Sequence, residues 1–336
     1  MRIDRRTLIG SALAMTLASR ANAQEWGKPT PAATSVDRPD WPPPEHFPLW
    51  PNGAPGTPDT LPVPHNTMNG PAGDRQLWLY GVPEAFVAVY RPKTPNGHGL
   101  MSIPGGGYGF LSVQNEGMDI ARYYTQRGYT VFVLIYRLPG EGWAQRWDVP
   151  LQDAQRAMRL IRARASTWGI DPETLGIVGF SAGGHLGASL ATLYDTKVYE
   201  PVDADDERSA RPAFAGLCYP VIDLSIDKSH SSQNLLGPNP PADAVARYDT
   251  SRQVTAKTPP LFLVQALDDP LVNPDNSLAM LASAREAKVP VEAHFFEEGG
   301  HGFGIEHLAE GLPANLWPEL FALWMAKHGG GAATPA

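Results

Sequence analysis

The sequence predicts an α/β protein in which a mostly parallel central sheet of about eight strands is covered by helices on both faces. β-Branched and aromatic residues cluster in short segments after Gly73, and helical segments separate most of these clusters. The chain has 336 residues, of which 43% are hydrophobic and 18% charged, and this suits a globular protein with a sizeable core. Strands that alternate with helices favour parallel pairing, because the helices then pack on the faces of the sheet.

The predicted elements follow one another regularly along the chain. Two strands come first, at 76–80 and 85–90. The remaining strands and helices then alternate, as strand 99–103, helix 117–127, strand 130–135, helix 151–165, strand 175–179, helix 182–193, strands 213–218 and 261–266, helix 276–287, strand 291–295 and helix 316–327. The helix at 151–165 has the clearest amphipathic stripe, since its apolar residues recur at spacings of three and four. Polar segments at 194–211 and 229–258 predict loops and short helices over the sheet.

The first 23 residues differ from the rest of the chain. Arg5 and Arg6 precede an apolar run at 8–18, and Ala21-Asn22-Ala23 offers the small residues that a signal peptidase accepts. We expect residues 1–23 to be a removable export signal and the mature chain to have no membrane span, because the apolar run is shorter than the about 20 residues that cross a bilayer. The arginine pair resembles a twin-arginine signal, and an ordinary secretory signal is the alternative. Both predict a periplasmic or secreted protein.

Residues 24–70 form a second distinct segment, which is dense in proline. We expect it to be extended or coiled, because proline fixes φ and removes a backbone donor. Its tryptophans predict that it lies against the following domain. We place that catalytic domain at residues 71–330, followed by a flexible tail at 331–336.

Charge and cysteine content exclude several classes of function. The formal net charge is −8, and no cluster of lysine and arginine beyond the first six residues could neutralise several phosphates, so we expect no nucleic-acid partner. Cys218 is the one cysteine, so no internal disulfide can form, and its apolar neighbours predict a buried strand. We expect no metal and no cofactor, because the sequence has no H-E-x-x-H spacing and no cysteine cluster.

The stretch Gly179-Phe180-Ser181-Ala182-Gly183 lies where a predicted strand meets a predicted helix. This is the G-x-S-x-G pattern, in which small residues allow a tight turn that lifts a serine hydroxyl above the sheet. Ser181 is therefore the candidate nucleophile. The alternative is a structural serine that caps the helix.

A serine hydroxyl needs a base and an orienting acid. His301 lies in a glycine-rich loop after the last predicted strand, whereas His185 lies on the helix after Ser181 and His294 lies within a strand. Asp268 and Asp269 follow the predicted strand 261–266, and either could hold the imidazole. We favour Asp269 because its spacing to Val272 matches the usual acid loop, and Asp268 is the alternative. The order Ser, Asp, His is the one expected for the α/β-hydrolase fold.

Backbone donors for an oxyanion are also predicted. Gly105-Gly106-Gly107-Tyr108 follows the predicted strand 99–103, where esterases of this fold carry a glycine loop. Gly106 or Gly107 would provide one N–H and Ala182 another. Nucleotide binding is disfavoured, because G-x-G-x-x-G is not completed and no P-loop lysine follows. Together these pieces predict an acyl-transfer site.

The chain also resembles secreted polysaccharide-esterase-like α/β-hydrolases related to acetylxylan and feruloyl esterases. The matching stretches span most of residues 47–305, and are Pro48-Leu49-Trp50-Pro51-Asn52-Gly53-Ala54-Pro55-Gly56, Ile103-Pro104-Gly105-Gly106-Gly107-Tyr108, Asn115-Glu116-Gly117, Tyr136-Arg137-Leu138-Pro139, Gly179-Phe180-Ser181-Ala182-Gly183-Gly184-His185-Leu186 and Asp269-Pro270-Leu271-Val272. The resemblance implies a serine esterase that acts on acetyl or related acyl groups of plant cell-wall carbohydrate. Its partner would be a small-molecule or oligosaccharide ester.

Three residues are candidates for contact with the substrate. Trp143 and Trp147 lie close together in the sequence and could form a wall on which a sugar stacks, although such residues often only pack a loop. Tyr108, beside the glycine loop, is the third.

Two alternative functions share part of the sequence pattern of the esterase. A serine peptidase of the prolyl-oligopeptidase type shares the serine and acid motifs, but it usually adds a propeller domain, for which the proline-rich segment is too short. A non-catalytic carbohydrate-binding protein with this fold is the other alternative, and it would bind sugar without cleaving esters.

Overall fold

The computed structural model describes residues 38–70, 75–227 and 230–329. Its central sheet has eight strands, namely β1 (His46–Pro48), β4 (Phe86–Tyr90), β5 (Gly99–Ile103), β6 (Thr130–Ile135), β7 (Gly176–Phe180), β8 (Ala215–Cys218), β9 (Leu261–Ala266) and β10 (Val291–Phe296). A separate antiparallel pair consists of β2 (His65–Asn69) and β3 (Gln76–Tyr80). The predicted export signal at 1–23 and the predicted tail at 331–336 lie outside the described residues.

The strand order in the central sheet is β1-β4-β6-β5-β7-β8-β9-β10. The strands from β6 to β10 in this order are parallel, and β4, near one edge, pairs antiparallel with both β1 and β6. Every residue of β6, β7 and β9 is buried, as expected for parallel strands with helices on both faces. The predicted fold class is therefore confirmed.

One predicted strand does not belong to the central sheet. Residues 76–80 form β3, which pairs with β2 rather than with the domain's main sheet. The eighth position is taken by β1, from the proline-rich segment, where Phe47 is buried opposite Val87. Pro48 is tolerated there because an edge strand does not need every backbone N–H. The sequence predicted β3 as a strand, but it predicted residues 46–48 only as part of an extended or coiled segment, and it assigned no partner to either.

The described residues contain seven α-helices, which are α1 (Asp119–Thr125), α2 (Val149–Ala163), α3 (Ser181–Leu193), α4 (His230–Leu236), α5 (Ala242–Tyr248), α6 (Asp275–Glu286) and α7 (Trp317–His328). Five of them match predicted helices, and α4 and α5 are short helices in the polar segment 229–258. The helix predicted to start at residue 117 begins instead as a π-helical turn, Gln114–Met118, which runs into α1. A π-helical turn places side chains differently from an α-helix and is frequent at functional sites.

A buried ion pair attaches the proline-rich segment to the sheet. Arg137 follows β6, and its Nη2 lies 2.7 Å from Oδ1 of Asp153 on α2, with both side chains fully buried. Trp50 donates its indole N–H to the same carboxylate at 2.6 Å, and Arg137 Nη1 donates to the carbonyl oxygen of Pro55 at 2.9 Å. The segment that contains Trp50 therefore packs against the domain, as its tryptophans predicted.

Candidate active site

The turn between β7 and α3 places Ser181 in a strained conformation. Its φ is 52°, in the left-handed region that is unfavourable for a side chain with a Cβ. The turn is tight, because a Cβ on Gly183 would lie 2.2 Å from the carbonyl oxygen of Ile103. Glycine is therefore required at position 183. The hydroxyl of Ser181 lies at the carboxyl end of the sheet, on the surface of a cavity.

Ser181, His301 and Asp269 form one hydrogen-bonded chain. Nε2 of His301 lies 2.9 Å from Oγ of Ser181, and Nδ1 lies 2.7 Å from Oδ2 of Asp269. Because an ionised carboxylate can only accept, Nδ1 carries the proton that it donates to Asp269. Nε2 of the neutral ring is then free to accept the serine proton. The structure thus brings together the three side chains that the sequence singled out.

The two adjacent acids have different contacts. The side chain of Asp269 is fully buried, and its Oδ1 accepts hydrogen bonds from the backbone N–H groups of Leu271 and Val272, both at 2.9 Å. Its Oδ2, which faces His301, also accepts from the side-chain amide of Gln265 at 3.1 Å. Asp268 instead accepts the backbone N–H of Gly300 at 2.8 Å. Asp269 therefore contacts the imidazole, and Asp268 holds the loop that carries it.

The glycine loop lies beside Ser181. Gly106 and Gly107 have φ values of 125° and 59°, and a Cβ on Gly106 would lie 2.1 Å from the carbonyl oxygen of Phe110. The carbonyl of Gly107 accepts the side-chain amide of Asn234 at 2.8 Å, which ties the loop to α4. Ala182 is in the first turn of α3, where backbone N–H groups have no intrahelical acceptor. Both glycines line the cavity into which Ser181 opens.

That cavity has a volume of about 700 Å³. Three aromatic side chains form one wall: Trp78 stacks on Phe110 with ring centroids 4.0 Å apart, and Tyr80 lies 5.6 Å from Phe110. The other lining residues are mostly polar or glycine, and are Asn69, Gly70, Gln76, Gly106, Gly107, Gly109, Ser112, Asn115, Glu116, Ser181, His230, Ser231, Asn234, Leu271, Val272, Gly299, His301, Gly302, Phe303 and His307. An aromatic wall with amides and hydroxyls around it is suited to a ligand that has both apolar faces and hydroxyl groups.

The three predicted substrate contacts are corrected by the structure, since none lines this cavity. Tyr108 is buried, and its hydroxyl lies 2.7 Å from Nδ1 of His185. Trp143 is buried with its ring 4.7 Å from the guanidinium of Arg137, so it covers the buried ion pair. Trp147 is half-buried and packs against the hydrophobic core. The aromatic wall comes instead from β3 and from the end of the glycine loop, which sequence spacing did not connect.

Glu116 is a further residue of the site that the sequence analysis left without a role. It is buried on the π-helical turn and lines the cavity. Burial raises the pKa of its carboxyl to about 6, against the opposing effects of the Gly105 N–H, the charge of His301 and the Tyr219 hydroxyl. The stretch Asn115-Glu116-Gly117, already noted for its resemblance to esterases, was the available signal.

Comparison with known proteins assigns the family. A family model described as BD-FAE matches residues 88–283, which is more than half of the chain. The chain belongs to the BD-FAE family. This BD-FAE protein is similar to a solved acetyl ester-xyloside bifunctional hydrolase from Caldicellulosiruptor lactoaceticus, with 30% sequence identity and a TM-score of 0.71. The match covers 86% of this chain and 97% of that chain. The two chains share the α/β-hydrolase fold.

Two curated relatives are longer proteins. An acetylxylan esterase of Xylanibacter ruminicola is 33% identical over 229 residues, and an endo-1,4-beta-xylanase B of Butyrivibrio fibrisolvens is 36% identical over 208 residues. The matches cover 66% and 61% of this BD-FAE protein but only 44% and 32% of the relatives. This chain therefore matches less than half the length of either.

Neither a metal-binding cluster nor a membrane-spanning helix is found among the described residues. Across 38–70, 75–227 and 230–329, no group of three or more histidine, cysteine, aspartate or glutamate side chains is placed to hold a metal ion. Within the same ranges no helix combines the length and the apolar character needed to cross a bilayer.

Proposed function

We propose that this protein is a serine carboxylic-ester hydrolase that removes acetyl or other small acyl groups from plant cell-wall carbohydrate. The observation that carries the proposal is the hydrogen-bonded chain from Asp269 through His301 to Ser181, which opens into a cavity beside the glycine loop. An acetylxylan esterase and an acetyl ester-xyloside hydrolase among the similar proteins support it.

The first half of the reaction transfers the acyl group to the enzyme. Oγ of Ser181 attacks the ester carbonyl carbon while Nε2 of His301 takes the hydroxyl proton, and Asp269 stays ionised beside the imidazolium. The carbonyl oxygen becomes an oxyanion that the N–H groups of Ala182 and of Gly106 or Gly107 stabilise. The bond to the sugar oxygen then breaks, and the leaving alcohol takes the proton from His301.

The second half releases the acyl group by hydrolysis. Water attacks the acyl-serine, His301 takes one of its protons, and the tetrahedral intermediate expels Oγ, which recovers that proton. The net reaction converts one ester and one water into one carboxylic acid and one alcohol, and no cofactor takes part.

The aromatic wall is the proposed contact for the sugar ring. Phe110 and Tyr80 are half-buried, and they lie in the same cavity as Ser181 with Asn69 and Gln76 nearby. A pyranose ring has an apolar C–H face that can pack on an aromatic ring, while its hydroxyls bond to planar amides. Phe110 and Tyr80 therefore take the sugar-stacking role that the sequence predicted for Trp143 and Trp147.

Two measurements test the function. S181A should lose activity toward p-nitrophenyl acetate by several orders of magnitude, and acetate release from acetylated xylan fragments should depend on Ser181 in the same way. F110A should raise KM for an acetylated xylo-oligosaccharide severalfold and leave kcat/KM for p-nitrophenyl acetate nearly unchanged. F296A, which truncates a half-buried phenylalanine outside the cavity, is the matched control.

The outcomes separate the candidate functions. Sugar binding without ester cleavage would support a non-catalytic carbohydrate-binding protein, and cleavage of peptides in preference to esters would support a peptidase. If F110A impaired only feruloyl esters, the aromatic wall would bind an aromatic acyl group rather than a sugar.

The proposed location of the protein is the periplasm or the medium. The proposal rests on the arginine pair and apolar run in residues 1–23. Fractionation of cells that express the full chain should find it outside the cytoplasm. Replacing Arg5 and Arg6 with lysine should block export if the twin-arginine route is used, and should have little effect if an ordinary signal operates.

A further inference from the structure

We propose that Glu116 is a positioning residue for the proposed esterase reaction: its carboxylate couples the glycine loop to the loop that carries His301, and the site functions only while this carboxyl is ionised. The proposal rests on the proposed function and adds a group that lies outside the Ser181, His301 and Asp269 chain. It follows from the contacts of the two carboxylate oxygens.

One oxygen of Glu116 holds the glycine loop. Oε2 accepts the backbone N–H of Gly105 at 2.7 Å, immediately before Gly106. The carbonyl of Gly105 accepts the N–H of Ser112, and the carbonyl of Glu116 accepts the hydroxyl of Ser102 at 2.6 Å. The orientation of the peptide that leads into the donor glycines therefore depends on this carboxylate.

The other oxygen holds the histidine loop. Oε1 accepts the hydroxyl of Tyr219 at 3.0 Å, and the same hydroxyl accepts the backbone N–H of Gly304 at 3.0 Å. The ring of Tyr219 packs edge-on against His301, with centroids 4.9 Å apart. Asn115, the preceding residue on the π-helical turn, donates to the carbonyl of Gly302 at 2.8 Å. Two adjacent side chains thus fix the chain just after His301.

These contacts select the ionised form of Glu116. Both carboxylate oxygens face donors, so a proton on either oxygen would compete with the Gly105 N–H or the Tyr219 hydroxyl. Burial opposes ionisation and raises the pKa of Glu116 to about 6, so that the group still ionises near neutral pH.

Few other charged groups surround this carboxyl. The titratable groups that face it are Tyr219, Tyr136, Cys218 and His301. Burial raises the pKa values of the two tyrosines and the cysteine, so all three are neutral. His301 is the group that becomes positive during the reaction, and the carboxylate of Glu116 adds to Asp269 in stabilising it.

The consequence is a reaction that requires two deprotonated groups. His301 must be neutral to accept the serine proton, and Glu116 must be ionised to hold both loops. A plot of log(kcat/KM) against pH should then approach a limiting slope of two on its acidic side, whereas one required group gives a slope of one.

The experiment measures the acidic limb, which is the acidic side of the plot of log(kcat/KM) against pH, for p-nitrophenyl acetate in wild type, E116Q and D119N. Glutamine keeps the side chain's size but offers one acceptor oxygen, so one of the two donors faces an amide N–H instead. Asp119 is the matched control, because burial raises the pKa of its carboxyl to about 6 as well, but its partner is Arg122 at 3.1 Å and it does not line the cavity.

We expect a slope of two in wild type and in D119N, and a slope of one in E116Q with kcat at neutral pH lowered by roughly tenfold or more. Enzyme incubated at each acidic pH and returned to neutral pH must recover its activity, so that unfolding does not steepen the limb. A slope of one in wild type, or the same slope in E116Q as in wild type, would overturn the proposal.

A second variant covers the case in which E116Q does not fold. Y219F removes one donor to Glu116 and the acceptor of Gly304, so the acidic limb should move to higher pH, and an unmoved limb would count against the coupling. The S181A variant distinguishes failure of the proposed function from failure of the proposed role of Glu116. If S181A stays active, the proposed function is wrong, and if S181A is inactive while E116Q behaves as wild type, only the role of Glu116 is wrong.

Discussion

The contacts of Asp269 make D269N the sharpest test of the site. Oδ1 of Asp269 accepts two backbone N–H groups, from Leu271 and Val272. In the variant, the single oxygen of asparagine must stay on these two donors, because turning the amide would aim its N–H groups at them. The amide N–H₂ would therefore face His301 and force Nδ1 to become an acceptor.

The effect on rate follows from the resulting tautomer. With Nδ1 unprotonated, Nε2 carries the proton and points it at Oγ of Ser181, 2.9 Å away, so the ring can no longer accept the serine proton. A wrong histidine tautomer in serine hydrolases costs about 10⁴ in kcat, or about 5 kcal/mol of transition-state stabilisation. KM should change little, since the Asp269 side chain is fully buried beneath the histidine.

The adjacent acid provides the matched control. D268N keeps an oxygen that can accept the N–H of Gly300, so we expect less than about a tenfold loss. Steady-state kinetics with p-nitrophenyl acetate at pH 8 measure both variants, and near-ultraviolet circular dichroism shows whether each is folded. The reasoning is refuted if D269N retains most of its activity, or if D268N loses as much as D269N.

Three further predictions concern stability and backbone geometry. G183A should unfold at a lower temperature and lose activity, because its Cβ would meet the carbonyl of Ile103 at 2.2 Å; the thermal midpoint measures the first effect, and an unchanged midpoint would contradict it. D153A should lower the free energy of unfolding in urea by about 3–5 kcal/mol, since it leaves the buried Arg137 without its partner; a loss below about 1 kcal/mol would refute this. Burial raises the folded-state pKa of Glu116 from its ordinary value of 4.5 to about 6, so this carboxyl lowers wild-type stability as pH rises from 4.5 through about 6. The stability of E116Q relative to wild type should therefore increase by about 2 kcal/mol between pH 4 and pH 7.5, measured by urea unfolding, and a difference independent of pH would contradict the ionisation.

Much of the fold could be predicted because its signals are local. Clusters of β-branched and aromatic residues located the strands from β3 to β10 but not β1 and β2, and spacings of three and four located α2. Membership of the central sheet was predicted less well. β1 and β3 are both short strands, and neither sequence shows which partner supplies its hydrogen bonds. Pairing across the sheet depends on packing between residues that are distant in the chain.

The site divides in the same way. Ser181, His301 and Asp269 each follow a strand within a recognisable loop, and parallel strands bring such loops to one edge of the sheet. The direction of a side chain within a loop is not local information. Trp143 was predicted to line the cavity and instead covers Arg137, whereas Phe110 and Trp78 line it from separate segments.

The sequence by itself therefore determined the fold class, the order of the elements and the three side chains that meet at the carboxyl edge of the sheet. Only the tertiary structure decided that Asp269 rather than Asp268 contacts the imidazole, that β3 contributes an aromatic wall, and that Glu116 bonds to two loops at once. The physical reason is the separation along the chain of the residues that interact. Turn and strand conformations are set by neighbours in the chain, but burial and hydrogen-bond partners are set by residues far apart in the chain, such as Ser181 and His301, which are 120 positions apart.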